Sequence, residues 1–231
     1  MCVICIKPAG VELPDTYARA SMWLANPDGA GLMYAYRGKV WIEKGFMTWT
    51  AMEERLARLA LRMDLSAIPV VLHYRITTHG GTCPENTHPF PVCARARTLH
   101  ALRTCTDLGL AHNGIINAVK PRPGFSDTAE YVATRLARLP RDFTTNAETL
   151  AKITGEIGWS RLALLDGRGH ITRVGAGWMQ ESGCWYSNSY WRVLPAPRPV
   201  YTPVYRGSFD AWDNWLIDTD EDTDSLPWEI K

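Results

Sequence analysis

The second residue of the chain is a cysteine, Cys2, directly after Met1. If Met1 is removed, one residue carries both a thiol and a free α-amino group. An α-amine titrates at about 7.7–8.0, so it can take the proton of its own side chain and act as general base for the nucleophile beside it. The competing reading is an ordinary buried Cys at the start of a strand. A zinc site built on Cys2 and Cys5 is weaker, because no second closely spaced Cys pair follows and strand positions i and i+3 face opposite ways. Neither metal nor cofactor is expected.

Three further clusters carry chemistry-bearing groups. His73-Tyr74-Arg75-Ile76-Thr77-Thr78-His79-Gly80 follows an apolar run. An Arg there can clamp a carboxylate through its fork, or simply form a surface salt bridge. His112-Asn113-Gly114 ends a second apolar run. A side-chain amide beside a Gly backbone N–H offers two donors to one developing oxyanion, although Asn-Gly is also a strong turn signal. Ser126-Asp127 reads first as a helix N-cap.

These groups fall at the ends of elements. Residues 2–6 read as a short buried strand, and residues 15–24 as a helix behind Pro14. Residues 31–36 and 39–45 form two strands joined by the turn Tyr36-Arg37-Gly38-Lys39. A helix follows, capped by Thr48 or Thr50, with Trp49, Met52, Leu56, Leu59 and Met63 on one face as core. Residues 69–74 and 108–111 are apolar without a break, as buried central strands are. Between them residues 77–97, rich in Gly, Pro, Asn and His, form a long irregular loop of the kind that carries function. Helices are expected over 127–139 and 146–157, a hairpin over 161–165 and 170–174, and a late strand over 185–190. Runs of strands, then helices, then strands favour an α+β fold.

The 231 residues are 46% hydrophobic and 21% charged. That composition excludes a disordered, collagen-like or coiled-coil chain. No apolar run approaches the ~18–20 residues of a membrane span, and Lys7, Pro8 and Glu12 interrupt the N-terminal residues too early for a secretory leader. Six Cys in this length suggest reduced thiols and a cytoplasmic protein. The net charge of +1 hides an asymmetry: residues 208–231 carry eight acids against Lys231, a net of −7, which leaves +8 on the rest. No Lys/Arg stripe interleaves with aromatics, so neither nucleic acid nor membrane is an expected partner. Four prolines in residues 195–203 mark the end of the compact domain. Beyond them lies an acidic, Trp-containing tail that could order on a basic surface, its own or a partner's. The domain reading is thus 2–194 followed by a tail, 195–231.

Taken in order, Met1-Cys2, Asp28-Gly29-Ala30-Gly31, His73-x-Arg75-x-Thr77-Thr78-His79-Gly80, His88-Pro89-Phe90, His112-Asn113-Gly114 and Ser126-Asp127 resemble the class II glutamine amidotransferase (glutaminase) domain of the N-terminal nucleophile (Ntn) hydrolase superfamily. The resemblance spans roughly residues 2–130. It implies a four-layer αββα sandwich of two antiparallel sheets and hydrolysis of glutamine to glutamate and ammonia through a Cys2 thioester. It implies Asn113 and Gly114 as the oxyanion hole, Arg75 as the clamp for the substrate carboxylate, Thr78 and His79 as pocket lining, and Asp127 as partner of the substrate ammonium. Only about 37 residues follow Leu194, too few for a fused synthase. Ammonia would therefore pass to a separate acceptor enzyme. Two alternatives stay open: an Ntn hydrolase for another amide, and a degenerate domain that only binds a partner. The helix-start element also departs from the family, in which an acid often follows the Thr directly, so the placement of Glu130 is open.

Overall fold

Val3–Lys7 (β1) is buried at every position, as a strand with neighbours on both edges must be. The computed structural model describes residues 2–77 and 81–192. After β1 come α1 (Thr16–Ala25), β2 (Ala30–Tyr36), β3 (Lys39–Phe46), α2 (Trp49–Ala60), β4 (Val70–Tyr74), β5 (Phe90–Pro91), α3 (Ala96–His100), β6 (Arg103–Thr106) and β7 (Leu108–Asn113). Then follow α4 (Asp127–Thr134), α5 (Ala147–Ile157), β8 (Arg161–Asp166), β9 (Ile171–Val174), β10 (Met179–Glu181) and β11 (Cys184–Tyr186). The fold is α+β. Seven strands form one sheet in the order β10-β11-β1-β4-β2-β3-β6, and four form a second in the order β5-β7-β8-β9. All their pairings are antiparallel.

The period-2 alternation of these strands sorts side chains into separate apolar layers. Ile4, Ile6, Met33, Ile42 and Val71 of the large sheet pack with Ala111, Ala163 and Leu165 of the small one. On the opposite face of the large sheet, Val3, Leu32, Leu72 and Tyr74 pack with Met22 of α1 and Met52, Leu56 and Leu59 of α2. Leu110, Leu162 and Leu164 of the small sheet meet Ala129 and Val132 of α4 and Ile153 and Ile157 of α5.

Helix starts obey local capping. Asp15, Thr48, Ser126 and Asn146 each accept a hydrogen bond from a backbone N–H three residues on. Two ion pairs tie α2 down: Glu43 of β3 accepts bidentately from Arg55 at 2.6 and 2.7 Å, and Glu53 accepts from Arg19 of α1 at 2.6 Å.

Three expectations need correction. The helix expected over 127–139 stops at Thr134 and continues as a 3-10 turn, Leu136–Arg138, ahead of Pro140. The late strand ends at Tyr186, where residues 187 and 188 turn to other partners described below. The segment 77–97 is partly ordered: it contains a 3-10 turn at Pro84–Asn86, the two-residue strand β5 and the start of α3. A buried lysine organises it. Lys44 of β3 donates through Nζ to the carbonyls of Glu85 and Leu99, both at 2.7 Å, and stands 3.8 Å from the centre of the Phe90 ring. Burial holds its ammonium well below the usual lysine range. Of the expected features, the tail at 195–231 lies outside the described residues.

Candidate active site

Cys2 ends the residue run that leads into β1, and its sulfur lies against the backbone where β4 gives way to the long segment. Sγ is 3.5 Å from the carbonyl oxygen of Ile76 and accepts from the Ile76 N–H at 3.4 Å. The register explains the meeting: Val3 pairs with Tyr74, so the residue before Val3 and those after Tyr74 share one end of the sheet. Burial raises the Cys2 thiol above its ordinary range, opposed by the Ile76 N–H and then by the positive charge of Arg75. A thiol in that position keeps its proton at neutral pH and needs a base to become a nucleophile.

Arg75 is 3% exposed and donates from Nη2 to the Gly81 carbonyl at 3.0 Å. Burial lowers it, opposed by the neighbouring Cys2, Cys83, Asp28 and Asp127 side chains. Cys2 and Asp127 therefore each lie within electrostatic reach of Arg75. Asp28 belongs to the same end of the sheet: its Oδ2 accepts from Thr77 N at 2.8 Å, and its backbone N–H donates to Arg75 O at 2.9 Å. The Gly29-Ala30-Gly31 stretch beside it is a packing requirement. A Cβ on Gly31 would stand 2.1 Å from the carbonyl oxygen of His88, so only glycine lets the His88–Phe90 segment close on β2.

Asp127 opens α4. Its Oδ2 accepts from Ile116 N at 2.8 Å and its Oδ1 from Thr128 N at 2.8 Å. Two backbone bonds hold the carboxylate in place, and an ionised carboxylate retains further acceptor capacity. Glu130, left open by the sequence, accepts from Arg122 Nε at 2.7 Å.

Asn113 is the last residue of β7 and is buried. Its Nδ2 donates to Ser187 Oγ at 2.8 Å, which uses one of two amide hydrogens and leaves the second for another acceptor. Gly114 then turns with φ +139, a conformation side chains rarely adopt, and a Cβ there would lie 2.2 Å from Ser160 Oγ. Cys2 and Gly114 line one cleft, of about 480 Å³.

Behind the site three buried histidines cluster. His73 Nε2 lies 2.9 Å from His112 O. His112 Nδ1 and His88 Nε2 both meet Thr128 Oγ1, at 2.7 and 3.1 Å. The His73 and His88 rings are 4.3 Å apart. Burial pushes His73 down to about 3 and His112 down to about 4, so both are neutral near pH 7. Among the described residues no group of three or more His, Cys, Asp and Glu is arranged to hold a metal ion.

Of the residues singled out in the sequence, Cys2, Arg75, Asn113, Gly114 and Asp127 come to this region, while Thr78 and His79 lie outside the described residues. Sequence reasoning missed Ser187 and Asn188. Ser187 Oγ accepts from Ile4 N at 2.9 Å as well as from Asn113, and Asn188 Nδ2 donates to Cys2 O at 2.7 Å. Their only sequence signal is two small polar residues after a strand, which reads as a turn. No protein-family model and no curated protein matches the chain. No helix among the described residues is long and apolar enough to cross a membrane.

Proposed function

We propose that the protein is an N-terminal nucleophile amidohydrolase of the class II glutamine amidotransferase type, hydrolysing glutamine and handing ammonia to a separate acceptor enzyme in the cytoplasm. The observation that carries this reading is that the Cys2 sulfur sits on the Ile76 backbone and lines one cleft with the Gly114 turn, while Cys2 and Asp127 each act on the Arg75 guanidinium. A free amino acid brings one carboxylate and one ammonium, and the site offers one guanidinium and one carboxylate to meet them. The apolar layer between the two sheets, with α1 and α2 on one outer face and α4 and α5 on the other, supports reading the fold as the four-layer αββα sandwich of that superfamily.

In this reading, removal of Met1 frees the Cys2 α-amine, which takes the proton that burial keeps on the thiol. The thiolate adds to the carboxamide carbon, forming a C–S bond and placing negative charge on oxygen. The second Nδ2 hydrogen of Asn113 and the Gly114 backbone N–H receive that charge. The protonated amine gives its proton to the leaving nitrogen, the C–N bond breaks and ammonia departs. Water, deprotonated by the same amine, then cleaves the thioester to glutamate and restores the thiol.

The test is an intact-mass measurement of the purified protein joined to a glutamate-release assay. The expected result is loss of one methionine together with hydrolysis of glutamine. A protein with Cys2 at its terminus that releases neither glutamate nor ammonia overturns the proposal.

A further inference from the structure

The cleft that Cys2 shares with Gly114 is walled by Ile115, Ile157, Trp159 and Ser160, and most of its surface is apolar. Trp159 is 99% exposed and Ile115 42% exposed. An indole in solvent at the lining of a mostly apolar cleft that also holds Cys2 offers its ring face to a ligand there. The wall is built and held. Gly158 closes α5 with φ +59, Ser160 N donates to Ile157 O at 3.1 Å, and Ser160 Oγ donates to Ile115 O at 3.1 Å. The Trp159 turn and the Gly114–Ile115 turn are thereby bonded to each other across the cleft floor. Arg75, Asp28 and Asp127, which suit the amino-acid end of a substrate, do not line this cleft. Its side of Cys2 therefore falls to whatever leaves.

Ammonia needs no apolar wall. A cleft of about 480 Å³ lies within the usual ~300–1,000 Å³ of small-molecule sites. We infer that it is a leaving-group subsite, and that the preferred substrates are γ-glutamyl amides whose nitrogen carries an aromatic or branched apolar group. This deepens the function proposed above and rests on it. The chemistry balances in the same way. The Cys2 sulfur bonds to the carbonyl carbon of the γ-carboxamide, the C–N bond breaks, and the amine leaves with the proton first taken from the thiol. One water then yields glutamate, for a net reaction of γ-glutamyl amide plus water giving glutamate plus free amine. The ring of the amine stacks on Trp159 between Ile115 and Ile157.

The experiment compares γ-glutamyl benzylamide with γ-glutamyl methylamide, whose alkylamine leaving groups are chemically similar, and takes glutamine as reference. All three are assayed with the full chain bearing Cys2 at its terminus. The expected ratio of kcat/KM, benzylamide over methylamide, is at least tenfold, and Trp159→Ala should reduce that ratio to within about threefold. Because Trp159 is fully exposed, the substitution leaves the fold intact. Turnover of glutamine with a benzylamide ratio near one, or a ratio unmoved by Trp159→Ala, overturns the subsite and leaves the glutaminase reading standing. Failure to turn over any of the three overturns both.

Discussion

Asn188 donates from Nδ2 to the carbonyl oxygen of Cys2 at 2.7 Å, across 186 residues of chain. Its neighbour Ser187 accepts from both Ile4 N and Asn113 Nδ2 and donates its own N–H to Ile4 O at 3.0 Å. One dipeptide thus ties the start of β1 and the Asn113 amide together. Asn188→Ala and Ser187→Ala should each lower kcat for glutamine by about tenfold or more with a smaller change in KM, since misplacement of reacting groups costs rate before binding. Steady-state kinetics check this, and a pure KM effect would assign both residues to substrate binding.

Cys2→Ala should abolish hydrolysis without unfolding the protein, because it removes one small side chain at the edge of the core. A glutamine-mimicking electrophile should leave a single adduct, found on Cys2 by peptide mass mapping. All six cysteines are free thiols, so labelling of Cys5, Cys83, Cys93, Cys105 or Cys184 in its place would remove the assignment. An N-terminal extension that blocks the α-amine should inactivate as thoroughly as the substitution.

Arg75 and Asn113 should fail differently. Arg75→Lys keeps the charge but loses the fork, and Arg75→Ala loses both. Each should raise KM, the Ala variant by an amount on the order of 2–4 kcal/mol, because a carboxylate contact is made equally in ground and transition states. Asn113→Ala should lower kcat by about 10²–10³-fold through loss of an oxyanion donor. Identical kcat and KM changes in the two sets would contradict the division of roles.

The histidine cluster predicts acid sensitivity. His73 and His112 titrate at about 3 and about 4 in the fold, and His88 is also held down by burial. In the unfolded chain each titrates near 6.5. Between those values the unfolded state binds more protons, so their contribution is fully present above about pH 6.5 and is lost as pH falls toward 4. His73 and His112 should each tilt stability by about 1.4 kcal/mol per pH unit in that window. Urea unfolding at pH 7 and pH 5 measures it, and equal midpoints with equal slopes would refute the coupling.

Much of the secondary structure follows from local rules. β1, the β2–β3 hairpin, α2, β4, β7 and the β8–β9 hairpin could be placed because apolar period, cap and turn residue agree within a few neighbouring positions. The turn at Arg37 and Gly38 has φ +51 and +78, as a two-residue hairpin turn requires, and Gly38 supplies the second without steric cost. Segments that take their structure from distant partners were not readable. β5 and α3 are ordered by Lys44, whose burial under two carbonyls and a ring has no signature in Gly45 or Glu43 beside it.

The candidate site divides along the same line. Cys2, Arg75, Asn113-Gly114 and Asp127 were visible because each chemistry is written in one side chain or one dipeptide. Their convergence was not, since it depends on β1 lying between β4 and β11 and on Asp127, at the start of α4, accepting from the Ile116 N–H just after the Gly114 turn. Ser187, Asn188 and Trp159 became significant only in three dimensions. A hydrogen bond across 186 residues leaves no local pattern, and an exposed tryptophan in a turn gains meaning only from the cysteine across the cleft. Residue type determined what chemistry the chain could attempt. Sheet order and close packing decided which of those groups meet, because side chains far apart in sequence share a site only after the backbone hydrogen bonds and apolar layers between them have formed.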